Sequence, residues 1–124
     1  LTGEEGRGTH SASKCGPLYD RGGNRGRGEW AGEVAPGLDL PRLLWPAEVA
    51  GTVSAAAAQL TGIPAGTPVA AGTIDAWAEA ASVGVLQPGD LMLMYGTTMF
   101  MVEVVAEPRP HPGLWSTAGV FRGT

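Results

Sequence analysis

A chain of 124 residues, 44% hydrophobic and 16% charged, suits one ordinary globular domain or pieces of two and excludes a disordered tail. Its formal net charge of −4, with Lys14 the single lysine, leaves no basic face for a phosphate backbone, so nucleic acid is excluded as a partner. No apolar run reaches the roughly 18 residues of a membrane helix, no basic-then-apolar secretory leader opens the chain, and one cysteine, Cys15, cannot close an internal disulfide.

These observations predict a cytosolic metabolite enzyme with no membrane partner. The chain opens on Leu1 and stops at "VFRGT", directly after a possible strand, so a fragment of a longer protein is expected.

Residues 1–29 alternate Gly with polar and charged residues, and "RGGNRGRGEW" has no hydrophobic period, which predicts an exposed loop. After Trp30, apolar clusters broken by proline ("LDLPRLLWPAEVAG") predict short helical turns and then a brief strand near residues 48–53. "TVSAAAAQLTG" is rich in helix formers and ends at Gly62, a residue that closes helices readily in the left-handed conformation. A short apolar run at residues 69–71 predicts a buried strand. "DAWAEAASVGV" predicts a helix of two to three turns starting at Asp75 and stopped near Gly84.

Two apolar runs then flank Gly96-Thr97-Thr98, with a Pro-Gly turn before them and a proline after, which predicts a hairpin over residues 91–105. Met92, Met94, Met99 and Met101 are expected to turn inward, and both faces of the first strand are apolar enough to be covered. Strand, helix, strand, helix and hairpin make an α/β order.

Two constellations carry chemistry. Asp75 stands between an apolar stretch and a helix, where an Asp serves as an N-cap for free backbone amides. The preceding "AAG" has no bulky side chain, so a ligand could approach, and strand ends leading into helices hold the sites of open α/β folds. A carboxylate there can act as a base. Gly96-Thr97-Thr98 reads either as an ordinary hairpin turn or as hydroxyl and amide donors converging on an anionic phosphate. His10, Cys15 and His111 lack metal-ligand spacing, so no protein-bound metal site is expected.

In this order, "HSASKCGPLYD", "WPAEVAGTVSAAAAQLTGIPAGTPVAAGTIDAWAEAASVGV" and "PGDLMLMYGTT" resemble the FGGY carbohydrate kinases. The resemblance implies part of an actin-like ATPase fold, two ribonuclease H-like domains closing on a cleft. Residues 1–84 would end the N-terminal sugar-binding domain, and residues 85–124 would begin the C-terminal nucleotide-side domain. It implies phosphorylation of a sugar hydroxyl using ATP and Mg2+, with a pentulose, pentose or polyol as acceptor and possible homodimer formation in the full-length protein.

The family's "G-x-x-D" base matches Gly72-Thr73-Ile74-Asp75, and its phosphate-facing turn matches Gly96, Thr97 and Thr98. Asp75 and Trp77 would face the sugar. Ala76 cannot hydrogen-bond a substrate as the Gln of glycerol kinases or the Asn of xylulokinases does, and Trp77 stands where a polar residue is expected, so the "D-A-x-A" form is closer to ribulokinase-like members and leaves the sugar open. The first phosphate loop and the adenosine pocket are not in these residues, so the chain alone is expected to be inactive. The rival reading is a non-catalytic sugar-binding or regulatory relative of the same fold.

Overall fold

The computed structural model of the protein describes residues 1–14, 18–20, 25–37 and 40–124. Cys15 and residues 21–24 of the Gly/Arg-rich stretch lie outside the described residues. The fold is α/β: β1 (Gly6–Gly8), α1 (Thr9–Ser13), β2 (Tyr19–Asp20), β3 (Arg25–Gly26), α2 (Gly28–Val34), β4 (Arg42–Leu44), β5 (Val49–Thr52), α3 (Ala55–Thr61), β6 (Pro68–Ala70), α4 (Asp75–Ser82), β7 (Leu91–Tyr95) and β8 (Met99–Glu103). The strands pair two by two: β1 with β4 in parallel, and β2 with β3, β5 with β6 and β7 with β8 antiparallel.

α3 forms as its sequence dictates. Ser54 is its N-cap, accepting a 3.2 Å hydrogen bond from the Ala57 amide, and Gly62 closes it at φ 76°, where a β-carbon would be strained. Replacing Ser54 with Ala should therefore lower stability by about 1 kcal/mol, read from the urea midpoint. α4 also falls where its alternation of Ala with larger residues places it, ending before Gly84 at φ 89°.

The β7–β8 hairpin is present, with Tyr95 paired to Met99 across a three-residue tip, Gly96-Thr97-Thr98, that is exposed. Ahead of it, Asp90 accepts hydrogen bonds from the Leu86 and Gln87 amides, each 3.0 Å, which fixes the Pro-Gly turn and holds its carboxyl below the usual carboxylate range. One face of the hairpin meets α4: Ala80, Val85, Met92 and Val102 are buried together, with Trp77, Met94, Phe100 and Val104 packed around them.

Five expectations need correction. Residues 1–29 are not one exposed loop, because β1 and α1 fall within them and Thr9, His10 and Ser13 are buried. Helix α2 starts before Trp30 and β4 follows it, where broken helical turns were expected. β6 begins at Pro68 and its outer residues are exposed, so it is not a buried strand; it pairs with β5 on one edge only. Met99 and Met101 do not turn inward: they are exposed, while Met92 is buried and Met94 half-buried. The opposite face of the hairpin, with Leu91, Leu93 and Tyr95, is exposed as well, so β7 is covered on one side only.

Among the described residues no helix is long and apolar enough to cross a membrane.

Candidate functional site

The approach to Asp75 is braced from two directions. The Ala71 amide donates to the Glu48 carbonyl and the Gly72 amide to the Pro46 carbonyl, each at 2.9 Å, so the residues leaving β6 are tied to the turn before β5. Glu48 is itself held: its side chain accepts a 2.9 Å hydrogen bond from the Trp45 amide and pairs with Arg122, and the amide bond in particular holds its carboxyl below the usual carboxylate range. Gly72 takes φ 70°, a conformation that side chains rarely adopt, and its carbonyl comes within 3.7 Å of where a β-carbon on Gly8 would stand. The chain thus turns sharply out of β6 close beside β1, and α4 begins.

Asp75 is the first helical residue and Ile74 is the N-cap, so the capping reading of Asp75 is corrected by one position. Its carboxylate is exposed and accepts a 2.9 Å hydrogen bond from the Ala76 amide. That single local bond fixes the rotamer and leaves the remaining lone pairs directed to solvent.

Trp77 sits half-buried, with the His10 ring centroid 4.7 Å away and that of Phe100 6.2 Å away. Much of its aromatic surface is engaged within the fold, and a sugar could meet only what remains.

His10, set aside in the sequence for want of metal-ligand spacing, is 3% exposed. Its Nδ1 lies 3.3 Å from the Ala118 carbonyl, so that nitrogen carries the proton. Ser13 Oγ donates to the His10 carbonyl at 2.7 Å and accepts from the Ala118 amide at 3.0 Å. Burial, above all, pushes the His10 imidazole below its ordinary value of 6.5, with Lys14 adding to the effect and the Ala118 carbonyl opposing it.

A folded-state value below the unfolded one means that the unfolded chain binds the proton more tightly. Stability is therefore complete above the unfolded value and is lost as pH falls through it. Between about pH 7.5 and about pH 5.5 the urea midpoint should fall, and the fall should shrink in His10→Gln. Equal falls in the two proteins would show that another group carries the acid sensitivity.

The turn Gly96-Thr97-Thr98 projects from the end of the hairpin. Its Gly96 amide donates to the Thr98 carbonyl at 3.1 Å, which closes the tip. Gly96 is not among the left-handed glycines, and a β-carbon there would meet only ordinary contact, 3.9 Å from the Thr98 carbonyl. Neither backbone strain nor crowding within the chain requires a glycine here; its missing side chain leaves the tip open to something outside.

A cleft of about 1060 Å3 is lined by His10, Lys14, Ile74, Trp77, Phe100 and Trp115 among others, and neither Asp75 nor the tip lines it. The carboxylate and the turn are thus separate exposed features. What the fold brings together is Trp77, two residues after Asp75, and Phe100, two residues after Thr98, with ring centroids 6.2 Å apart. Among the described residues no three His, Cys, Asp or Glu side chains are grouped to hold a metal ion.

No family model matches the chain. In sequence it is similar to two ribulokinases, that of Mycolicibacterium smegmatis, 47% identical over 67 residues, and that of Shouchella clausii (strain KSM-K16), 32% identical over 72 residues. These alignments cover 54% and 58% of this chain but only 12% and 13% of the two relatives. In structure, the xylulose kinase from Rhodospirillum rubrum matches 99% of this chain with a TM-score of 0.85 and 30% identity, using 25% of that protein's length. The chain is thus similar in sequence to a small part of two ribulokinases and in fold to a quarter of a xylulose kinase, which supports the resemblance to FGGY-type sugar kinases carried by its motifs.

Proposed function

We propose that this chain is an internal segment of an ATP-dependent sugar kinase, in which Asp75 is the general base and Gly96, Thr97 and Thr98 face the phosphates of ATP. Residues 1–84 would close the sugar-binding domain and residues 85–124 would open the nucleotide-side domain of a two-domain, actin-like ATPase fold. The observation that carries the reading is the setting of Asp75: an exposed carboxylate at the start of α4, beyond a glycine turn, bonded locally to the Ala76 amide.

In that role Asp75 takes the proton of the acceptor hydroxyl as the sugar oxygen bonds to the γ-phosphorus and the bond to the ADP oxygen breaks. A carboxylate is basic enough, because phosphoryl transfer depends chiefly on positioning and on stabilising charge at the transferring group. The open tip at Gly96, with two hydroxyls and adjacent backbone amides, suits phosphate oxygens. Mg2+ arriving with ATP would supply charge neutralisation at the transferring phosphate.

The acceptor is proposed to be a pentulose or a related pentose or polyol, by likeness to proteins named for ribulose and xylulose. The test is transfer from ATP to a panel of such sugars by the full-length protein, with Asp75→Asn as the control. Phosphorylation of none of them would favour the non-catalytic alternative.

A further inference from the structure

We propose that Trp77 and Phe100, backed by His10, form an aromatic bridge that sets the distance between Asp75 and the Gly96–Thr98 tip. This rests on the reading of those two features as base and phosphate turn and extends it to a positioning role for the aromatic residues beside them.

Both ends of the proposed machinery are rigidly connected to the bridge. Trp77 follows Asp75 by two residues within α4, so the indole and the carboxylate move as one body with that short helix. Phe100 follows Thr98 by two residues and is paired with Met94 across the β7–β8 ladder, so its ring and the tip move as one body with the hairpin. The contact between these bodies includes Trp77 and Phe100, whose ring centroids are 6.2 Å apart, beside the buried cluster of Ala80, Val85, Met92 and Val102. On its other side Trp77 meets His10, 4.7 Å away.

His10 cannot drift, because its Nδ1 is bonded to the Ala118 carbonyl while Ser13 ties the His10 carbonyl to the Ala118 amide. The stack therefore has a fixed end, a middle attached to the base and a far end attached to the turn. Its chain neighbours lie on both sides of the boundary proposed between residues 84 and 85. Phosphoryl transfer is sensitive to displacements on the order of 1 Å between reacting groups, so loosening this stack should act on the chemical step while leaving the binding contacts in place. Trp77 and Phe100 are positioning residues in this scheme.

The experiment uses the full-length protein and four variants: Trp77→Ala, Phe100→Ala, the double variant and Trp77→Phe. With ATP and the accepted sugar, each alanine variant should lose roughly tenfold or more in kcat with both KM values nearly unchanged. The double variant should be little worse than either single, because a bridge broken at one end is already broken. Trp77→Phe keeps an aromatic partner and should recover most of the rate.

A rise in the sugar KM with kcat retained would overturn the proposal, since Trp77 would then be a sugar contact. Multiplicative losses in the double variant would overturn it as well. Hydrogen exchange supplies a readout independent of turnover: the amides of Thr97, Thr98 and Met99 should exchange faster in Trp77→Ala than in the parent and Asp75→Asn proteins. If the parent phosphorylates no sugar, the kinase reading fails and the exchange comparison alone decides the bridge. Unchanged exchange at the tip sinks it in either case.

Discussion

If Asp75 is the base proposed above, replacing it with Asn in the full-length protein should lower kcat by roughly 10²-fold or more while leaving the fold and the sugar KM nearly intact. The amide has the same shape and can still accept the 2.9 Å hydrogen bond from the Ala76 amide through its carbonyl oxygen, so the rotamer seen for Asp75 is kept. It cannot take a proton. Ile74, not Asp75, occupies the N-cap position, which removes the main route by which the substitution could act through helix stability. What remains of a stability effect is the loss of one negative charge from the first turn of α4, worth a few tenths of a kcal/mol up to about 1 kcal/mol. A thermal midpoint within a few degrees of the parent, together with the kcat loss, separates base from scaffold. Near-normal kcat in a well-folded Asp75→Asn protein would remove the mechanistic assignment and leave the structural likeness standing.

What the sequence made legible, and what it hid, divides along physical lines. α3 was readable because its run of helix formers and the closing Gly62 are local signals, each acting on backbone groups within a few residues. The same holds for the Asp75 helix and for the hairpin. By contrast, α1 rests on partners that no window of sequence contains: Ser13 and His10 bond to Ala118, 105 and 108 residues away. Its buried side chains are small or polar, so no apolar period announces them.

Gly6 belongs to the same class, since a β-carbon there would stand 2.7 Å from the Leu44 side chain and the strand pair β1–β4 needs that space. In the sequence this glycine is indistinguishable from the loop glycines around it. At the candidate site, Asp75 and the turn could be named from residue type and order, because carboxylate, glycine and hydroxyl chemistry is local. The packing of His10 on Trp77 and of Trp77 on Phe100 could not, because it joins three separate segments.

The second large expectation follows from the parity of the hairpin. Alternation along each strand separately suggests that Met92, Met94, Met99 and Met101 share the inner face, but the tip between them has three residues. Tyr95 pairs with Met99, Met94 with Phe100, Leu93 with Met101 and Met92 with Val102, so even-numbered residues of both strands share one face and odd-numbered residues the other. An odd tip therefore sends the methionines of β8 outward. Met92 is 9% exposed and packs with Ala80, Val85 and Val102, whereas Met99 is 70% exposed. Met92→Ala should accordingly cost about 2–5 kcal/mol, the transfer energy of the lost atoms plus the cavity they leave. Met99→Ala in the same 124-residue chain should cost no more than about 0.5 kcal/mol. Urea unfolding of the two variants measures the difference directly. Equal costs would mean that the strands are paired one residue out of the register described, and the proposed base, bridge and tip would then no longer share the geometry on which those proposals rest.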